Sequence, residues 1–334
     1  MSDSPTHEPF KPRLGVVLYY ENTSKFASIT TELGVVSQFG LFQAYGEGKD
    51  ITKAVKEWIK TERLDRVLWW ILPRRVETVR EIQISTPEVR HGVYNWDEPH
   101  IWRSDTNWGE KTKLMDVVMV SCSSSLARYP ARTPKFRVDP GVDLKHFRPS
   151  TGRRRYLYDV SLICTNLYED TRRFPMQLVS RPKILALLAE KLPHARVALF
   201  GPEGFREQYP RIYAGMLSYE DLPRAISQSA VNLCTHVETE EEGYLNERVA
   251  QVLACGGLLL TDQVAGSESF LRPGRNCILM DLRSLDRQLE SLVQSPRSYD
   301  PVRKAARETA EERFSAKGFA QKLLKGFEVC EGSS

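Results

Sequence analysis

Short apolar runs bounded by turn residues alternate with amphipathic stretches along nearly the whole chain, and this alternation limits the fold more than any other feature. A chain written this way builds strand-helix units around parallel sheets. The rhythm falls into two series. The first places strands at 14–20, 34–39, 66–72, 89–95, 117–121 and 136–138, with a helix over 51–60 whose Ile51, Val55, Trp58 and Ile59 share one stripe. The second follows a basic, turn-rich stretch at 150–155 and places strands at 158–164, 196–200, 231–234, 258–261 and 277–280. Its helices fall at 181–192, 222–228, 246–254 and 284–292, and a helical end over 302–327 is broken at Gly318. The expected plan is α/β: a flexible tail at 1–12, a doubly wound domain at 13–149, a linker at 150–155, a second doubly wound domain at 156–300, and C-terminal helices at 301–329 that pack back on the first domain. A length of 334 residues suits two domains of about 150 each. Two facing parallel sheets direct their strand ends into one cleft, and that cleft is the expected site.

Several function classes drop out. The longest apolar runs, 67–72 and 256–261, are strand-sized, well short of the roughly 18 to 20 residues a membrane span requires. The polar, Pro-rich start lacks the basic-then-apolar pattern of a secretory signal. Six cysteines at 122, 164, 234, 255, 277 and 330 show no CxxC or Cys/His spacing, so no zinc site is expected. Most lie in apolar runs, where a thiol behaves as a small buried hydrophobe, and this fits a reducing cytoplasm. Residues 1–150 carry 22 basic and 19 acidic residues and the remainder 25 and 24, so neither half has the excess that phosphate neutralisation alone demands.

Three stretches carry a resemblance. Tyr219-Glu-Asp-Leu-Pro through Val231-Asn-Leu-Cys is followed by Asn246-Glu-Arg-Val-Ala-Gln-Val-Leu-Ala-Cys-Gly-Gly-Leu-Leu-Leu-Thr-Asp262, then by Glu268-Ser-Phe-Leu-Arg-Pro-Gly274. Together they resemble the donor half of a GT-B glycosyltransferase, closest to the CgeB-like, spore-maturation-protein group within the group-1 glycosyltransferases. Pro140-Gly-Val-Asp-Leu-Lys-His-Phe-Arg-Pro149 resembles that family's junction between its two domains, and Tyr94-Asn-Trp-Asp-Glu-Pro-His100 its Trp-Asp/Glu-Pro loop. The likeness covers most of the chain and is absent before about residue 60. It implies two Rossmann-like domains facing across a cleft, the first for the acceptor and the second for a nucleotide sugar.

The residues of the strongest stretch suit that chemistry in their own right. A helix beginning at Asn246 offers backbone N–H groups to a diphosphate, and Arg248 in its first turn, beside Glu247, adds a charge-assisted fork. The other reading pairs Arg248 with the Glu238 to Glu242 run. Where the family has Glu to accept from the nucleotide ribose, this chain has Gln251, which gives up the charge-assisted part of such a bond. Gln251 is otherwise an exposed helix residue.

By resemblance, Asn166, Arg172 and Arg173 follow the second domain's first strand and neutralise phosphate, or the arginines are solvated surface. Phe200 and Gly201 mark the nucleobase slot, with Tyr219 beside it, or pack in the core. Glu242 and Gly243 meet the donor sugar, or the glutamates form a solvated loop face. For a base that takes the acceptor proton the choice is Asp97, with Glu98 and His100 behind it, against a capping role for Asp97 or a pair with Arg103.

No Asp-x-Asp occurs, so a metal-independent reaction is expected, with the helix terminus and arginines holding the diphosphate. The expected function is sugar transfer from a nucleotide-diphosphate donor, most simply a UDP-sugar, to a hydroxyl on a glycan, protein or small molecule, or on a hydroxymethylated DNA base. Arg74, Arg75, Arg128, Arg132, Lys135 and Arg137 would border a nucleic-acid track. No permanently bound cofactor is expected. The competing classes are a non-catalytic nucleotide-sugar or glycan-binding protein that keeps the fold, and a sugar-nucleotide epimerase.

Overall fold

Every residue of the first strand, Leu14–Leu18, is buried, as a strand covered on both faces must be. The computed structural model describes residues 12–21, 23–95, 107–151, 155–169 and 180–331. Strands β1 (Leu14–Leu18), β2 (Ser37–Gly40), β3 (Arg66–Trp69), β4 (Arg90–Asn95), β5 (Val117–Val120) and β6 (Lys135–Arg137) form one parallel sheet in the order β2-β1-β3-β4-β5-β6. Strands β7 (Tyr158–Ile163), β8 (Val197–Phe200), β9 (Tyr213–Gly215), β10 (Ser229–Cys234), β11 (Leu259–Thr261) and β12 (Ile278–Leu279) form a second, in the order β12-β11-β10-β7-β8-β9. Each order reverses direction once, between β1 and β3 in the first sheet and between β7 and β10 in the second. Those reversals open the crevices at the carboxyl ends of the strands where ligands bind in such sheets.

Helices cover both faces of each sheet. On one side of the first sheet, Ile51, Val55 and Ile59 of the helix Ile51–Thr61 and Val79 and Ile82 of Val76–Ser85 pack against Val17, Val67 and Trp69. The other side is closed by the helix Ser24–Glu32 together with Phe319, Leu323 and Phe327 of the last helix, Ala316–Glu331. The last helix therefore belongs to the first domain's core. Gly92 on β4 permits its approach, because an added Cβ would stand 2.7 Å from Phe327. The second sheet buries Ile184, Leu185 and Leu188 of Arg181–Lys191 on one face, and Val249, Val252 and Leu253 of Glu247–Ala254 on the other.

Two details depart from the sequence expectation. The helical end is broken at Phe314 and Ser315, between Asp300–Arg313 and Ala316–Glu331, whereas Gly318 lies inside the last helix. Ser315 explains this: its Oγ accepts from the Gly318 N–H at 3.1 Å, and the residue bridges to Val142 at the start of the crossover. The second strand begins at Ser37 rather than at residue 34, because Gly34 has φ +66° and still belongs to the turn. Among the described residues no helix is long and apolar enough to cross a membrane.

His91, 1% exposed on β4, is locked as a neutral imidazole. Its Nδ1 accepts from Trp69 Nε1 at 3.1 Å, so Nε2 carries the proton toward Thr86 Oγ1, also at 3.1 Å. Burial pulls its pKa from 6.5 to about 4, with Asp116 opposing. The unfolded chain thus binds this proton first as pH falls, and stability that is intact above pH 6.5 drains away as pH drops toward 4. The loss should reach about 3 kcal/mol. Urea unfolding between pH 7 and pH 4.5 reads it, and His91→Gln, with nothing to titrate, should lose that part of the slope.

Candidate active site

The helix Glu247–Ala254 starts where the chain returns from the carboxyl end of β10. Asn246 caps it in an extended conformation, its side chain accepting from the Arg248 N–H at 3.0 Å. A chain of polar contacts follows along its first turns. Lys25 of the first domain meets Glu247 at 2.7 Å, Gln251 Nε2 donates to the other Glu247 oxygen at 2.8 Å, and Arg248 Nη1 donates to Gln251 Oε1. Gln251 is 2% exposed, so it is not a surface residue of the helix. Arg248 bonds to this neutral amide rather than to the 238–242 glutamates, and among the described residues its buried Nε finds no acceptor. Burial lowers its pKa, with Glu247 opposing.

A second guanidinium stands at the switch point itself. Arg181 opens the helix Arg181–Lys191, whose start is capped by Ser180, and is only 4% exposed. Its Nε donates to Thr235 Oγ1 at 2.9 Å and its Nη2 to the Thr235 carbonyl at 3.2 Å, while Nη1 donates to the Asn166 carbonyl. Tyr168 lies under the guanidinium, 4.4 Å from Cζ to the ring centre. All these acceptors are neutral, and among the described residues neither Arg181 nor Arg248 has a carboxylate within salt-bridge distance. Both cations counter the upward push of burial on the Cys164 and Cys234 thiols, the latter raised to about 12, so both act on the ends of β7 and β10. The two positive groups thus lie near the same strand ends, Arg181 buried and Arg248 half-buried. Sequence reading missed Arg181 because, at the head of an amphipathic helix, nothing in its neighbours marks it.

The remaining expected donor residues divide. Asn166 is exposed, and its Oδ1 accepts from the Tyr168 N–H at 2.7 Å, bending the loop after β7 so that its carbonyl reaches Arg181. Phe200 is 3% exposed with its ring against Tyr158, and Gly201 packs on Phe205, so both serve the core at the end of β8. Tyr219 is half-buried, stacked on His146 at 5.1 Å and 14°, and its hydroxyl pKa is raised by burial and by nearby Glu247 and Asp143.

In the glutamate run Glu240 and Glu242 are exposed, as a solvated loop face requires, while Glu238 and Glu241 are half-buried. The Glu242 carbonyl accepts from the Ser123 N–H and Oγ at 2.9 and 2.8 Å, and Glu241 pairs with Arg128 at 2.5 Å. Gly243 sits against Arg137. These contacts clasp the second domain to the end of β5 in the first. His236 and Asp262, at the ends of β10 and β11, form a fully buried pair at 2.6 Å that fixes the base of this loop. Asp97, Glu98, His100, Arg172 and Arg173 lie outside the described residues.

Solved structures share this architecture. The chain is similar to sucrose-phosphate synthase from Thermosynechococcus elongatus, with a TM-score of 0.69 at 10% identity, covering 97% of this chain and 100% of that one. It is similar to Anabaena Alr3699/HepE in complex with UDP, with a TM-score of 0.65 at 12% identity over 96% and 100% of the two chains. A glycosyltransferase from Rickettsia africae gives 0.64 at 11% identity over 97% and 100%. The fold is GT-B. Residues 181–325 match the family described as glycosyl transferase-like. No curated protein matches the chain.

Gly243 gives a direct test of the clasp. Its φ of +80° and the 2.6 Å between an added Cβ and the Arg137 guanidinium both oppose a side chain. Gly243→Ala should lower the unfolding free energy by about 1–3 kcal/mol, seen as a lower melting temperature. An unchanged melting temperature would show that the clasp adds nothing to stability.

Proposed function

We propose that this protein is a glycosyltransferase that moves a sugar from a nucleotide-diphosphate donor, a UDP-sugar foremost, to a hydroxyl acceptor. The observation that carries the reading is the pair of guanidinia at the ends of β7 and β10, Arg181 buried and Arg248 half-buried, without a carboxylate partner among the described residues. Together with the N–H groups at the start of Glu247–Ala254 they supply positive charge where a diphosphate departs. The acceptor oxygen bonds to the anomeric carbon, the bond to the diphosphate oxygen breaks, and the diphosphate leaves with the electron pair. Asp97, with Glu98 and His100 behind it, is the proposed base for the acceptor proton. Arg172 and Arg173 add charge around the phosphates, and Glu242 and Gly243 border the donor sugar. Because helix and arginines carry the diphosphate, the reaction is proposed to be metal-independent. No permanently bound cofactor is invoked.

The wider support is consistent with this. Anabaena Alr3699/HepE has been solved with UDP and with UDP-glucose, and the 181–325 stretch that matches the glycosyl transferase-like family contains both arginines. In this reading the first domain, 13–149, takes the acceptor and the second, 156–300, the donor. Within the group-1 enzymes we place the chain with the CgeB-like proteins, on the 94–100, 140–149 and 246–262 stretches. A cytoplasmic location suits the five described cysteines, all buried free thiols.

Calorimetry with UDP tests the reading. Arg248→Ala and Arg181→Lys should each weaken binding at least tenfold; unchanged affinity in both would remove the guanidinia from the phosphate site. Release of UDP from a sugar donor without acceptor separates an enzyme from a binding protein.

Gln251 supports a further prediction. Because its amide donates to Glu247 and accepts from Arg248, Gln251→Leu would take that partner from both charged side chains. The variant should be about 1–2 kcal/mol less stable than the wild type, seen as a lower melting temperature at pH 8. Equal melting temperatures at pH 8 would show that the amide contact contributes nothing.

A further inference from the structure

At the carboxyl ends of β1 and β2, next to the first sheet's switch point between β1 and β3, aromatic side chains gather. Tyr19 and Tyr20 follow β1 directly and are 40% and 54% exposed, among the few large hydrophobic residues left in solvent. Phe42, just past β2, stands nearly perpendicular to both rings, at 5.2 Å and 75° from Tyr19 and 6.2 Å and 80° from Tyr20. Its backbone N–H also donates to the Tyr19 carbonyl at 2.9 Å. One ring thus orients two tyrosines.

Planar polar groups flank them. Glu21 is exposed and is steadied through Oε1, which accepts from the Gly40 N–H at 3.2 Å; Gln43 is exposed next to Phe42. The same loop then crosses to the second domain. Ser24 donates to Glu220, and Lys25 pairs with Glu247, the residue linked through Gln251 to Arg248. The aromatic group and Arg248 therefore lie at the two ends of one short relay across the cleft.

We propose that Tyr19, Tyr20 and Phe42 form the acceptor subsite, and that its occupant is an uncharged saccharide. This rests on the glycosyl-transfer reading above and narrows its acceptor. A pyranose presents an apolar C–H face ringed by hydroxyls. The tyrosines offer flat apolar area to the face, and Glu21 and Gln43 offer acceptors and a donor to the ring of hydroxyls. The Glu21 charge attracts hydroxyl protons and repels phosphates, which favours a saccharide over a nucleic-acid strand on these rings.

The test uses the full chain on an array of uncharged oligosaccharides, with and without UDP, and a single-stranded oligodeoxynucleotide as the competing probe. The expected result is capture of at least one saccharide, reduced about tenfold in Tyr20→Ala and retained in Tyr20→Phe, which keeps the ring and drops the hydroxyl. Capture of no saccharide, or equal capture by Tyr20→Ala, overturns the subsite. So does oligonucleotide binding that Tyr20→Ala abolishes, since it assigns the rings to bases. UDP affinity of the wild type, measured separately, keeps the two claims apart: UDP binding without saccharide capture defeats the subsite alone, whereas saccharide capture without UDP binding defeats the donor reading.

Discussion

A guanidinium that has left water without meeting a carboxylate among the described residues is the constraint around which the ends of β7 and β10 are arranged. Among those residues Arg181 is held by the dipoles of Thr235 and Asn166, by the Cys164 side chain and by the face of Tyr168, which satisfy its geometry and bring no full negative charge. Removing an ionic group from water is expensive unless an opposite charge follows it. The loop after β7, the end of β10 and the start of the helix Arg181–Lys191 are all held in place by this one side chain. Arg248 adds a second positive group near the same strand ends.

The first domain contributes through contacts that span the cleft. Lys25 grips the donor helix through Glu247, and Ser123, Arg128 and Arg137 hold the 241–243 loop. A third link lies behind the cleft, where Asp139, 7% exposed, meets Arg137 at 2.8 Å and Arg313 at 3.0 Å. Since partly buried charge-assisted bonds outweigh exposed pairs, this rear link is the firmer hinge. The front contacts, with Lys25 and Arg128 well exposed, are the weaker ones.

Much of this was legible in the sequence because burial on both faces leaves an unambiguous mark. The strands around Val67, Val117 and Leu259 are continuous apolar runs, and two parallel sheets in an α/β architecture follow from their alternation with helices; the GT-B plan rested on the resemblance of the 140–149 and 219–274 stretches. Boundaries were harder wherever a side chain set them: Ser315, not Gly318, starts the last helix, because a hydroxyl cap outweighs a glycine that the helix can absorb. Single-residue roles were hardest. Arg181 and Gln251 are buried by elements distant in sequence, and periodicity on their own helices does not disclose that. Glu242 is exposed as its sequence suggests, whereas the pairing of Glu241 was hidden because its partner, Arg128, lies more than a hundred positions earlier.

The last helix carries a consequence for biosynthesis. The side of the first sheet that holds Val16, Leu68 and Met119 is completed by Phe319, Leu323 and Phe327, and Arg313 reaches Asp139 across 174 residues of chain. While the ribosome is still translating the second domain, that apolar wall is covered only in part, by the helix Ser24–Glu32. Completion of the first domain's core must therefore wait until the last helix is made, and the nascent chain is most exposed to chaperones, and to aggregation, during that interval.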